Sequence, residues 1–172
     1  MNEKVESALN RLNAVLPLKE RQDNCRPEIK TLHQAILCSF VENGRSLSRA
    51  EMAQQVSDVA EAITILQSND MVVFGADGEP IGAYPFTMAA REHQIQVNGH
   101  QVHAMCALDA LAISPMFGLV TEINSQCRVT GEPVHIRQAG ETIENMDESG
   151  GVYFGIVWGG GRGRRLLRRQ PV

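Results

Sequence analysis

Apolar residues recur at Val5, Ala8, Leu9, Leu12, Val15 and Leu16. This spacing predicts a helix over residues 2–16, and Pro17 stops it because proline has no N–H for the next turn. Residues 28–42 repeat the pattern: Ile29, Leu32, Ile36, Leu37 and Phe40 share one side, Cys38 lies inside, and Gly44 is placed to end the helix. Ser48 followed by Glu51 is a capping box for a short third helix. A break at Ser57-Asp58 starts a fourth over residues 59–70. Residues 71–86 then read as strand, turn and strand, with Asp77-Gly78 at the turn. Three or four short helices followed by a hairpin predict a winged-helix-like helical module over residues 1–83.

Beyond residue 84 the pattern changes. Residues 92–105, EHQIQVNGHQVHAM, alternate around Asn98-Gly99 and predict a hairpin. A helix carrying Cys106 and Asp109 follows and is expected to end near Ser114-Pro115. Residues 118–138 read as two strands joined at Thr130-Gly131-Glu132-Pro133. A polar, acidic loop over 140–151 precedes a last strand, VYFGIVW, with Trp158 packed at its end. The predicted fold class is α+β: the N-terminal module, a mixed sheet-and-helix core over 84–158, and a basic disordered tail over 159–172.

Charge sharpens this division. The net charge of −4 hides a tail, residues 159–172, with five of the sixteen basic residues and no acid. The preceding body carries eleven basic against twenty acidic side chains. An acidic body argues against broad nucleic-acid binding, and the helix over 59–70 that would read DNA has Asp58 and Glu61 at its start and no Lys or Arg. Hydrophobic residues make up 43% of the chain, aromatics only 5%, so aliphatic side chains must fill the core. No apolar run reaches eighteen residues, and the charged, amphipathic N-terminus is unlike a signal peptide. These features predict a cytoplasmic protein without a membrane span.

The four cysteines, Cys25, Cys38, Cys106 and Cys127, form no CxxC pair and are read as reduced thiols. Cys38 is expected in the core and Cys25 in an exposed loop. His100 and His103 are expected at the surface. Cys106 and Asp109 differ: three residues apart on a helix, they project from one face. A thiolate is a strong ligand for soft metals such as Hg(II), Cu(I) and Zn(II). A carboxyl one turn away can give or take a proton at a group held on that sulfur, and partial burial would keep it protonated. Alone, the pair is equally open to a packing role, since free cysteine is often buried.

The longer stretch MCALDALAISPMFGLVTEINSQCRVTGEPVHI, residues 105–136, resembles the catalytic region of organomercurial (alkylmercury) lyases. The shared features are Cys-Ala-Leu-Asp-x-Leu, a proline shortly after, an apolar strand, Ser-x-Cys, and Thr-Gly-x-Pro-Val. The resemblance covers roughly residues 30–158 and includes a winged-helix-like module before the core. It implies protonolysis of a carbon–mercury bond to give hydrocarbon and Hg(II). By the resemblance, Cys106 is the first catalytic cysteine and mercury ligand, and Asp109 protonates the departing carbon. Cys127 matches a cysteine held in the core near the site, and is the candidate second metal ligand if its sulfur faces Cys106. No cofactor is implied. Cytosolic thiols or a mercuric reductase would take the Hg(II) product.

The chain departs from the family in one respect. The family's second catalytic cysteine lies well downstream, whereas no cysteine follows Cys127. After VYFGIVW the family-like sequence gives way to GGGRGRRLLRRQPV, as a natural truncation or an altered reading frame would produce. Reduced or absent activity is the expectation. The alternatives are a non-catalytic soft-metal binder for mercury or copper, and a winged-helix metal-responsive regulator.

Overall fold

A computed structural model describes residues 3–15 and 17–145. The predicted strand at 152–158, Trp158 and the basic tail lie outside the described residues. Two compact units divide after Cys25. The first contains α1 (Glu3–Val15) and, after Pro17, a short α2 (Leu18–Asp23) that periodicity did not announce. Leu9 on α1 is exposed. Cys25 follows α2 half-buried, not freely exposed, with its N–H donating to the Gln22 carbonyl at 3.2 Å.

The second unit opens with α3 (Pro27–Asn43). Proline suits the first turn of a helix, where its missing N–H would have no partner, and Gly44 closes the helix in the left-handed conformation at φ 70°. All five apolar residues expected on one face are buried. Cys38 sits at the flank, half-buried, outside the core expected for it. Next is α4 (Arg49–Met52), whose capping box is complete: Ser48 accepts from the Glu51 N–H and the Glu51 carboxylate accepts from the Ser48 N–H at 2.7 Å. Asp58 caps α5 (Val59–Ser68) by accepting from Glu61 N–H at 2.9 Å.

Among the described residues eight antiparallel strands follow: β1 (Val73–Phe74), β2 (Pro80–Ala83), β3 (Phe86–Thr87), β4 (Gln94–Val97), β5 (His100–Ala104), β6 (Val120–Gln126), β7 (Pro133–Ala139) and β8 (Thr142–Ile143). Their spatial order is β1-β2-β3-β5-β4-β6-β7-β8. The hairpin at Asn98-Gly99 forms as expected, with both residues at positive φ, 49° and 79°. Pairing of Ala83 with Phe86 and of Phe86 with Ala104 carries the sheet without a break across residue 84. At Gly82 a Cβ would lie 3.0 Å from the Phe86 carbonyl, so only glycine lets β2 approach β3 so closely.

Between β5 and β6 lies α6 (Ala107–Phe117). It runs past the expected end at Ser114-Pro115 and stops at Gly118, in the left-handed conformation. Pro115 breaks one hydrogen bond inside the helix, which would leave the Leu111 carbonyl without a donor. Gln138 on β7 supplies it: the amide Nε2 donates to Leu111 O at 3.0 Å and to Gly140 O at 2.8 Å. Ser114 adds a buried hydroxyl that donates to Leu119 O at 2.6 Å and accepts from the Gly140 N–H at 2.8 Å. Phe40 stacks on Phe86 at 4.8 Å, and Phe86 meets Phe117 at 5.7 Å, so α3, β3 and α6 share one aromatic column. Gln138→Ala should therefore loosen the helix that carries Cys106 and Asp109. The expected cost is about 1–3 kcal/mol, the penalty for unpaired buried carbonyls. A lower urea midpoint at unchanged m would register it.

Candidate functional site

Strand β5 delivers the chain to the site. Pairing continues one residue beyond it, with Met105 N–H donating to Pro85 O at 3.1 Å. Cys106 is still extended, at φ −153° and ψ 176°, and its carbonyl accepts from the Ala110 N–H at 3.0 Å. Cys106 is thus the N-cap of α6, not a residue within the helix as the sequence pattern suggested. Asp109 is the third helical residue. A residue at the N-cap and one three places on face each other directly, the spacing of a capping box, although the Cys106 side chain closes no cap hydrogen bond.

The two side chains interact. The Asp109 carboxyl is hydrogen-bonded by the Cys106 thiol and by the Cys106 backbone N–H. Desolvation nonetheless outweighs those bonds and pushes the Asp109 carboxyl up to about 6. The Cys106 thiol is pushed up to about 11, first by desolvation, then by the Asp109 charge and hydrogen bond. The N–H groups of Leu108 and Asp109, at the positive end of the helix, pull the other way without closing a full cap hydrogen bond. Cys106 is solvent-exposed as a residue, although desolvation is the first cause of its thiol's upward shift. Leu108, 36% exposed, offers apolar surface beside it. Near neutral pH the pair holds one proton, on sulfur, with a carboxylate poised to receive it.

Cys127 is placed elsewhere. It follows β6, and its thiol is held below the usual thiol range first by the Thr130 hydroxyl and then by the Thr130 and Val129 N–H groups. Strands β5 and β6 end at the same edge of the sheet with β4 between them. Two strand spacings, roughly 10 Å, therefore separate the backbones that lead into Cys106 and Cys127. Cys127 is not brought to the pair in this conformation. His100 packs its ring on Gly44, and His103 Nδ1 meets the Arg91 N–H at 3.1 Å. Both are half-buried, contrary to the surface placement expected for them. Among the described residues no group of three or more His, Cys, Asp or Glu side chains could hold a metal ion.

One residue at the site carried no sequence signal. Tyr84, in the turn between β2 and β3, is half-buried, and burial first, then the charges of Asp109, Asp70 and Cys106, raise its pKa well above the tyrosine range. Its membership depends on the pairing of Phe86 with Ala104, a contact between segments eighteen residues apart.

A reduced thiol and a carboxyl at one helix N-terminus, on an antiparallel α+β scaffold, define a protein equipped to take a soft electrophile on sulfur and move a proton beside it. Comparison with known proteins takes this further. The alkylmercury lyase family model matches residues 86–159. Among curated relatives, an alkylmercury lyase from Bacillus cereus is 29% identical over 114 residues, 66% of this chain and 52% of its own length. One from Staphylococcus epidermidis is 29% identical over 100 residues, covering 58% and 44% respectively. One from Pseudomonas putida is 26% identical over 121 residues, covering 70% and 56%. A crystal structure described as the mercury-bound form of MerB2 shares the fold, with a TM-score of 0.64 at 22% identity over 74% of this chain and 64% of that one. These matches support the assignment of the chain to the alkylmercury lyase family. The chain spans about half the length of the curated relatives it matches. Among the described residues no helix is long and apolar enough to cross a membrane.

Proposed function

We propose that this protein is an organomercurial lyase, cleaving a carbon–mercury bond by protonolysis with Cys106 as mercury ligand and Asp109 as proton carrier. The observation that carries the reading is the thiol–carboxyl pair at the start of α6, inside the segment matched by the family model. The chemistry balances on these two groups. An R–Hg⁺ electrophile bonds to the Cys106 sulfur, and the thiol proton passes to the Asp109 carboxylate. The carbon of R then takes that proton as the C–Hg bond breaks and its electron pair stays with carbon. R–H leaves, and Hg(II) remains on the Cys106 sulfur beside a carboxylate again. Two external thiols carry mercury away as a dithiolate, returning the Cys106 thiol and one proton.

Sulfur is suited to the first step because soft thiolates bind Hg(II) strongly and weaken the bond to carbon. Holding donor and acceptor on one helix start removes the diffusional cost of the second. The second sulfur on mercury is an external thiol, or Cys127 if its turn opens. The α3–α5 helices with the β1–β2 hairpin are read as a winged-helix-like module, residues 1–83, supporting a catalytic core over 84–158. Action in the cytoplasm, with abundant thiols or a mercuric reductase as acceptor, fits this product chemistry.

Purified protein with phenylmercury and excess thiol should release benzene over more than one turnover, at a rate reduced by the absence of a cysteine after Cys127. A folded protein that takes up Hg(II) stoichiometrically and releases no benzene would be a soft-metal binder, and the lyase reading would fall.

A further inference from the structure

Tyr84 sits in the two-residue turn between β2 and β3, and its hydroxyl oxygen is shut off from solvent with no hydrogen-bond partner among the described residues. The turn is fixed against the start of α6 through the Met105-to-Pro85 hydrogen bond of 3.1 Å and the pairing of Phe86 with Ala104. The charges that bear on the Tyr84 hydroxyl are those of Asp109 first, then Asp70 in the turn after α5 and Cys106, all of them acidic. A buried phenolic hydroxyl is a capable donor, and leaving it unpaired is costly. In the free protein Asp109 already has a donor, the Cys106 thiol. Once sulfur is bonded to mercury that donor is gone. The carboxylate left after proton delivery then has only the Cys106 N–H among its present partners.

We propose that Tyr84 is a positioning residue of the Cys106–Asp109 pair, its hydroxyl replacing the lost thiol as hydrogen-bond donor to the Asp109 carboxylate when mercury occupies Cys106. This deepens the lyase reading and rests on it for its effect on rate. The carboxylate regains its charge during carbon protonation, so a donor aimed at it favours the transition state over the mercury adduct that precedes it, in which Asp109 is protonated. The hydroxyl acts through Asp109 and touches neither carbon nor mercury.

The test has two arms. In the first, Tyr84→Phe should lower kcat for phenylmercury about 10- to 100-fold, the range of one hydrogen bond to a charged group, with KM unchanged. In the second, Tyr153→Phe leaves Tyr84 as the sole tyrosine of the two in the chain. Saturating this variant with inorganic Hg(II) should give a red-shifted tyrosine difference spectrum, as a phenol gains a charged acceptor. Asp109→Ala in the same background should abolish it. This arm keeps Tyr84 in place, so it stands even if Tyr84→Phe fails to fold. An Hg(II)-bound protein with no tyrosine shift, or a shift that survives Asp109→Ala, overturns the proposal. So does a folded Tyr84→Phe with wild-type kcat. If the wild type never cleaves phenylmercury but the spectral shift appears and depends on Asp109, the lyase reading fails and the hydrogen bond stands.

Discussion

Cys106→Ala is expected to release no measurable benzene from phenylmercury, a loss on the order of 10⁴-fold or more, the scale reached when an enzyme loses its nucleophile. Sulfur at this position is the group that receives mercury, and Cys127 does not stand in for it, because its thiol is engaged by Thr130 and Val129 in a separate turn. Alanine is also a poor helix N-cap, worth about 1 kcal/mol less than a good one. Lost activity from alanine alone would therefore mix chemistry with folding. Cys106→Ser separates the two. Serine is a strong N-cap, and with Asp109 three residues on it closes a conventional capping box, so Tm should match or exceed wild type. Its hard oxygen is a poor mercury ligand, so benzene release should still be absent. A serine variant with appreciable turnover would show that mercury is not held by the residue-106 side chain.

Asp109→Ala should retain Hg(II) binding at Cys106 and lose about 10²- to 10⁴-fold in benzene release, the usual contribution of a positioned proton donor. The phenylmercury adduct on Cys106 should accumulate and be visible by intact mass, since the step blocked lies after sulfur has bonded to mercury. The pH dependence has a definite sign. Below the Asp109 value of about 6 both groups are protonated, and the thiol proton has no internal acceptor when mercury arrives. Between about 6 and the Cys106 value of about 11 the pair holds the single proton the reaction consumes. Wild-type kcat/KM for phenylmercury should therefore rise with pH through about 6 and level off. Asp109→Ala should lose that limb. A wild-type rate that falls as pH rises through this range would mean instead that Asp109 must start out protonated.

Local chemistry made much of this architecture readable from residues alone. The faces of α3, the Ser48–Glu51 box and the Asn98-Gly99 hairpin each depend on neighbours within a few positions, where spacing and backbone preference decide. The candidate pair was readable for the same reason, because Cys106 and Asp109 are three residues apart on any path into a helix. Its exact setting was not. Strand pairing extends past β5 to Met105, so Cys106 remains extended and becomes the cap, and the helix starts one residue later than its apolar pattern implied. Pro115 looked like an end because a proline removes a backbone donor; α6 continues through it because Gln138, more than twenty residues away, supplies the replacement. Tyr84 is brought beside the start of α6 through cross-strand pairing, while Cys127 follows a strand separated from β5 by β4. Each of these outcomes depends on which distant segments share a sheet edge, and that is decided by long-range packing and hydrogen-bond satisfaction, which leave no periodic trace along the chain.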